Sequence, residues 1–197
     1  MLTHRELIVG ALLAVLGGLA WWYSASLAPG PEVTTESARQ PDYIVEDVTG
    51  VTMDASGRPA RRLTTPQLRH YPDDESSEVD YPVLLVFNEK TPPWRIRSER
   101  GWISADGDEL LLEGAVRAER DAAPSLDKVV LVTSEMLFFP ETDYAETDRF
   151  AELERGKDWV TATDGMQVWF GEPMRIKFFG RTRVSFAQSQ DTLSRTD

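Results

Sequence analysis

The sequence predicts an all-β domain carried behind one N-terminal apolar helix. Three observations point there. Apolar residues recur with period two from Asp42 onward, and turn residues break the chain at roughly 8–12-residue spacing. A single uncharged run of helical length stands near the N-terminus.

That run comes first. No residue from Leu7 to Pro31 is charged, and residues 7–28 read LIVGALLAVLGGLAWWYSASLA. As a helix they reach roughly 33 Å at ~1.5 Å per residue, which matches a hydrocarbon core of about 30 Å. Trp21, Trp22 and Tyr23 suit an interfacial aromatic belt. His4 and Arg5 precede the run, while Glu32 and Glu36 follow it. The bias of basic residues therefore leaves residues 1–6 cytoplasmic and everything after Ala28 outside, in a single-pass topology. A cleaved signal peptide is the alternative. Ser26-Leu27-Ala28 has the small residues it needs, but Pro29 hinders cleavage and the run is long for such a segment. Gly17-Gly18 lets a second helix approach closely. Residues 29–41, PGPEVTTESARQP, have little to bury and read as a linker.

The body, residues 42–187, alternates. VDYPVLLVF sets Val79, Tyr81, Val83, Leu85 and Phe87 on one face. WRIRS turns Trp94 and Ile96 inward and Arg95 and Arg97 outward. ELLLEGAVRAER sets Leu110, Leu112, Gly114, Val116 and Ala118 against Glu109, Glu113, Arg117 and Glu119. Near the end, Ile176 and Phe178 oppose Arg175 and Lys177, and Val184 and Phe186 oppose Arg183. Turns are expected at Asp54–Gly57, Asp106-Gly107, Pro140–Asp143, Gly156–Asp158 and Gly171–Pro173. Many short strands with such turns form an antiparallel sandwich, roll or barrel. The polar tail 188–197 reads as disordered. Phe87, Trp94, Phe178 and Phe186 are more aromatic bulk than a thin Val/Leu core requires, though ordinary packing accounts for each singly. Outward arginines discourage indiscriminate edge pairing, while the same edge can pair with a chosen partner.

Composition narrows the function. At 197 residues and a formal charge of −12, the chain lacks the clustered cations that nucleic acid requires. The absence of cysteine removes disulfides, thiolate metal sites and a cysteine nucleophile. The most reactive-looking stretch is HYPDDESSEVDYP, His70–Pro82, with one of two histidines and five carboxylates. Asp73, Asp74 and Glu75 are consecutive and cannot all point one way on an extended chain, so the segment reads as a solvated turn. Nucleophile-elbow, zinc-protease, P-loop and dinucleotide motifs are all missing, and no catalytic, metal or cofactor site is expected.

The order of features resembles the LptC family of lipopolysaccharide export. The residues that carry the likeness are Pro41-Asp42-Tyr43, the Asp54…Gly57 turn, His70-Tyr71-Pro72-Asp73-Asp74, Trp94-x-Ile96 and Asp106-Gly107. Leu112-x-Gly114-x-Val116, Thr133-Ser134-x-x-Leu137, Ala145-x-Thr147-Asp148, Gly165-Met166 and Arg183–Phe186 continue it, over roughly residues 1–187. Ser98, where an alanine is expected, and the acidic insert after Tyr71 depart from the pattern.

The resemblance implies an open antiparallel β-jellyroll whose apolar interior holds lipopolysaccharide acyl chains. It implies an inner-membrane anchor beside an ABC transporter, a periplasmic C-terminal domain, and transfer to an LptA-like bridge protein through edge-strand pairing. Alternation then nominates interior positions. Ile176, Phe178, Val184 and Phe186 fall at the exit end. Val79, Val83, Leu85, Phe87, Trp94, Ile96, Leu110, Leu112 and Val116 fall in the body, with Val48 on the upstream side. Gly114, Gly156, Gly165 and Arg183 are structural or interface candidates. A membrane-anchored scaffold that binds only proteins remains the rival reading.

Overall fold

The structure is a computed structural model, and it describes residues 17, 21–23, 39–171 and 173–187. The expected spanning segment 7–28 lies outside the described residues except for Gly17 and Trp21–Tyr23, which are helical and exposed. Most of the linker (29–38) and the tail (188–197) also lie outside. Among the described residues, no helix is long and apolar enough to cross a membrane.

From Arg39 onward the chain forms one compact unit. Its strands are β1 (Tyr43–Met53), β2 (Pro59–Tyr71), β3 (Ser76–Asp80), β4 (Val83–Val86), β5 (Trp94–Arg97), β6 (Arg100–Ile103) and β7 (Leu110–Arg120). After them come β8 (Val129–Phe139), β9 (Tyr144–Thr147), β10 (Ala151–Arg155), β11 (Asp158–Ala162), β12 (Met166–Trp169), β13 (Arg175–Phe178) and β14 (Thr182–Ser185). All named pairings are antiparallel, as the alternation and short turns require.

The four long strands organise everything else, because each serves two half-sheets. In the first half, 48–53 of β1 pair with the start of β2, which pairs β4, then β5, then the end of β7, the start of β8, β10, β11 and β14. In the second half, 43–46 of β1 pair with the end of β2, followed by β3, β6, the start of β7, the end of β8, β9, β12 and β13. The long strands turn the corner at identifiable residues. Asp47 has φ 53° in β1, and Gly114 has φ 87° at a bulge in β7 where the register to β8 shifts by one. In β2, Pro66 has no N–H to donate, and the buried Thr65 hydroxyl donates instead to the Asp80 carbonyl at 2.6 Å. The core lies between the halves, where Trp94 of the first meets Phe170 of the second edge-on at 5.1 Å.

One expected face is corrected. Tyr81 adopts φ 46° ahead of Pro82 and is 66% exposed, so the alternation restarts between β3 and β4. Val79 remains buried, but Leu84 and Val86, not Val83, Leu85 and Phe87, enter the core. Val83 and Leu85 pair with the outward Arg97 and Arg95, and Phe87 lies 5.8 Å beneath the Arg62 guanidinium.

The segment after His70 is a hairpin turn from β2 to β3, closed by Asp74, which accepts from Ser76 N–H at 3.1 Å and from Arg39 at 2.6 Å. His70 itself staples the start of β1, stacking on Tyr43 at 4.5 Å and contacting the Asp42 carboxylate at 2.8 Å. Through that bond His70 holds Asp42 below its ordinary pKa.

Candidate functional site

The inner face of the first half-sheet carries one unbroken apolar ladder. Its rungs are Leu63, Leu84, Ile96, Ala118, Leu131, Leu153, Val160 and Val184, running from β2 through β4, β5, β7, β8, β10 and β11 to β14. Ile96, Ala118 and Leu131 are fully covered by the second half. Leu153 is 8% exposed and Val184 is 47% exposed. The ladder therefore leaves the core and surfaces at the C-terminal edge. Facing rows in the second half run Leu110, Phe138, Ala145, Val168 to Ile176, with Met166 beside Phe178. At the β1 end the same interior opens as a cavity of about 310 Å³, lined by Gly50, Leu63, Leu84, Ile103, Leu110 and Phe138, with Arg61 at its lip.

This arrangement settles where the sequence-predicted positions lie. Trp94, Ile96, Leu110, Leu112 and Val116 belong to the central cluster, and Ile176 and Phe178 pack on it half-buried. Val48 is half-buried on edge strand β1, opposite the buried Thr65. Val184 and Phe186 stand outside the covered core. Val184 shares the inner face, yet it is uncovered, and Phe186 is 76% exposed, because the second half does not extend over β14. Gly114, Gly156 and Gly165 all have positive φ, and Arg183 is exposed on β14 opposite Thr161. Alternation in MQVWF would have found Met166, Val168 and Phe170. Nothing local marks Leu84 and Val86.

Polar contacts hold the rim. Arg61 Nη1 lies 2.9 Å from Asp143 Oδ1, and Asn88 donates to the Phe170 carbonyl at 3.3 Å, so two contacts tie the halves across the interior. Arg69 grips Asp80 bidentately at 2.7 and 2.8 Å, which raises Arg69 and lowers Asp80. Burial, then Glu146, pushes the Tyr144 hydroxyl up to about 12. Hydrogen bonds from Ser56 and Arg58 pull Asp54 down to about 2 at the β1–β2 turn. On the outer face Glu119, one-tenth exposed, sits among Arg97 (2.5 Å), Arg117 (3.4 Å), Arg95 (3.8 Å) and Lys128 (4.0 Å). A larger depression of about 480 Å³ includes Leu111, Leu137 and Gln167, which alternate with the core residues. Its rim of Glu135, Glu146, Asp148 and Asp164 repels anions, so the interior is the better candidate for an anionic amphiphile.

The apolar ladders thus run from a covered core to an uncovered edge at β14. The model of the lipopolysaccharide-assembly, LptC-related family matches residues 8–170. The chain belongs to that LptC-related family. No curated protein matches it at a significant level. Among solved structures, the crystal structure of LptH, described as the LptA-homologous periplasmic component of the lipopolysaccharide transport device of Pseudomonas aeruginosa, superposes with a TM-score of 0.50. The two share 8% identity over 65% of this chain and 95% of that one, so the likeness is one of fold. This LptC-related chain thus has the all-β, LptA-type jellyroll that its sequence resemblance implies, and its role lies in lipopolysaccharide transport.

Proposed function

We propose that this LptC-related protein, anchored by residues 7–28 in the inner membrane, receives lipopolysaccharide extracted by an ABC transporter. It passes the lipid through its interior to an LptA-like bridge protein in the periplasm. The observation that carries the reading is the apolar ladder from Leu84 to Val184, covered at its centre and uncovered at β14. Acyl chains in such a trough gain about 0.8 kcal/mol per buried CH₂, and they need no covalent chemistry from the protein to move along it. Free edges of β1 and β14 suit strand-to-strand joining of jellyrolls, β1 toward the transporter and β14 toward the bridge. The open inner face at Val184 and Phe186 then continues into the next protein.

The test is photocrosslinking in living cells, with a benzophenone amino acid at Ile176, Phe178, Val184 or Phe186 and at the outward control Arg95. Lipopolysaccharide adducts at the four inner positions and none at Arg95 are the expected result. Adducts with proteins alone would leave a scaffold that carries no lipid.

A further inference from the structure

Beside the apolar ladder on the same inner face runs a second row: Arg61, Val86, Trp94, Arg120 and Val129. Two of its members are guanidiniums, and they differ. Arg61 is paired with Asp143. Arg120 is only 7% exposed and, among the described residues, forms no ion pair. Its one recorded side-chain partner is the face of Trp94, 5.3 Å from the guanidinium carbon. Its buried Nε–H is orphaned, and so are the Trp94 indole Nε1–H and the hydroxyl of Thr91, in the loop that leads into β5.

A buried cation without a counter-charge is costly, and buried donors left without an acceptor add to the cost. Donors of this kind suit an anion with several acceptor oxygens. Arginine is suited to phosphate because its planar fork matches two oxygens at once. Arg120 is two residues from the ladder position Ala118, the next inward position on β7, so an anion there borders the apolar ladder. We infer that Arg120, with the Trp94 indole N–H, is a phosphate-recognition site for the headgroup of the lipid whose chains fill the interior. The inference rests on the proposed lipid path and deepens it. Arg120 and Trp94 would supply the headgroup contact, and the neighbouring ladder would supply the tail contact.

The test uses the full chain in detergent with two probes, bisphosphorylated lipid A and the same lipid after removal of its phosphates. The natural chain should bind the phosphorylated form at least ten-fold more tightly. Arg120→Met should bring that ratio close to one, Arg120→Lys should keep part of it, and the outward control Arg62→Gln should keep all of it. Melting the ligand-free variant is the second measurement. Arg120→Met should not melt lower than the natural chain, since an uncompensated buried cation is exchanged for an apolar side chain. A ratio that survives Arg120→Met would overturn the assignment, as would equal binding of both lipids by the natural chain. A melting temperature raised by inorganic phosphate, with no preference between the lipids, would make the site one for free anion and overturn the headgroup assignment. If the natural chain binds neither lipid, the proposed lipid path itself fails.

Discussion

Gly165→Ala tests how the second half-sheet is closed. Gly165 precedes β12, whose Met166 and Val168 enter the core, and it has φ 93°. A methyl group there would run into the carbonyl of Thr147, which pairs with Met166 at the first rung between β9 and β12. The obstacle is backbone, so no side chain can swing aside. A left-handed conformation costs an alanine about 1–2 kcal/mol, and reduced freedom of the unfolded chain offsets about 0.4–1 kcal/mol of that. Moving β12 away from Thr147 forfeits one or two ladder bonds at about 1 kcal/mol each. The net loss is about 1–3.5 kcal/mol, a fall in melting temperature of roughly 2–14 °C for a chain of this size. Gly107→Ala is the comparison, because its φ is 76° and the space around it is empty. That variant should lose no more than about 1.5 kcal/mol, the conformational cost alone. Thermal melts of the two variants followed by tryptophan fluorescence give both numbers. Equal shifts would show that contact with Thr147 does not constrain the strand and that the reasoning is wrong.

Three other outcomes are expected. Leu84→Asp buries an unpaired charge and should destabilise by about 3–5 kcal/mol or prevent folding, whereas Leu85→Asp on the outer face should cost under about 1 kcal/mol, and urea titrations that rank them the other way would reverse the assigned face. Asp80 is held below its ordinary 3.8, first by the Arg69 hydrogen bond, so its contribution is present above that value and lost as pH falls through the depressed one. Asp80→Asn should therefore lower stability at pH 7 by about 1–3 kcal/mol and flatten the acid limb of the stability curve below pH about 4, and an unchanged acid limb measured by chemical denaturation would assign it to other carboxylates. Val184→Pro removes a backbone donor from β14 and should weaken capture of an LptA-like bridge protein in a pull-down while leaving lipid crosslinks at Ile176 in place; undiminished capture would place the joint at another edge.

The sequence alone determined the class of fold and most of the strands, because side-chain alternation is a local property of an extended backbone. Trp94, Ile96, Leu110, Leu112 and Val116 all lie in the core where period two put them. The family followed from the order of short motifs. Parity between β3 and β4 was different. It turns on one left-handed residue, Tyr81, and a tyrosine ahead of a proline does not announce a positive φ as glycine would. Coverage was also out of reach. Val184 faces inward as alternation requires, but whether an inward residue is buried depends on how far the opposing half-sheet extends, and strands distant in sequence set that limit. The setting of Arg120 is of the same kind. The chain shows one arginine among many, and only the packing sets its guanidinium over the Trp94 ring, 7% exposed and without an ion pair among the described residues. Alternation is written residue by residue, whereas burial and charge compensation are properties of surfaces that exist only after the two half-sheets meet.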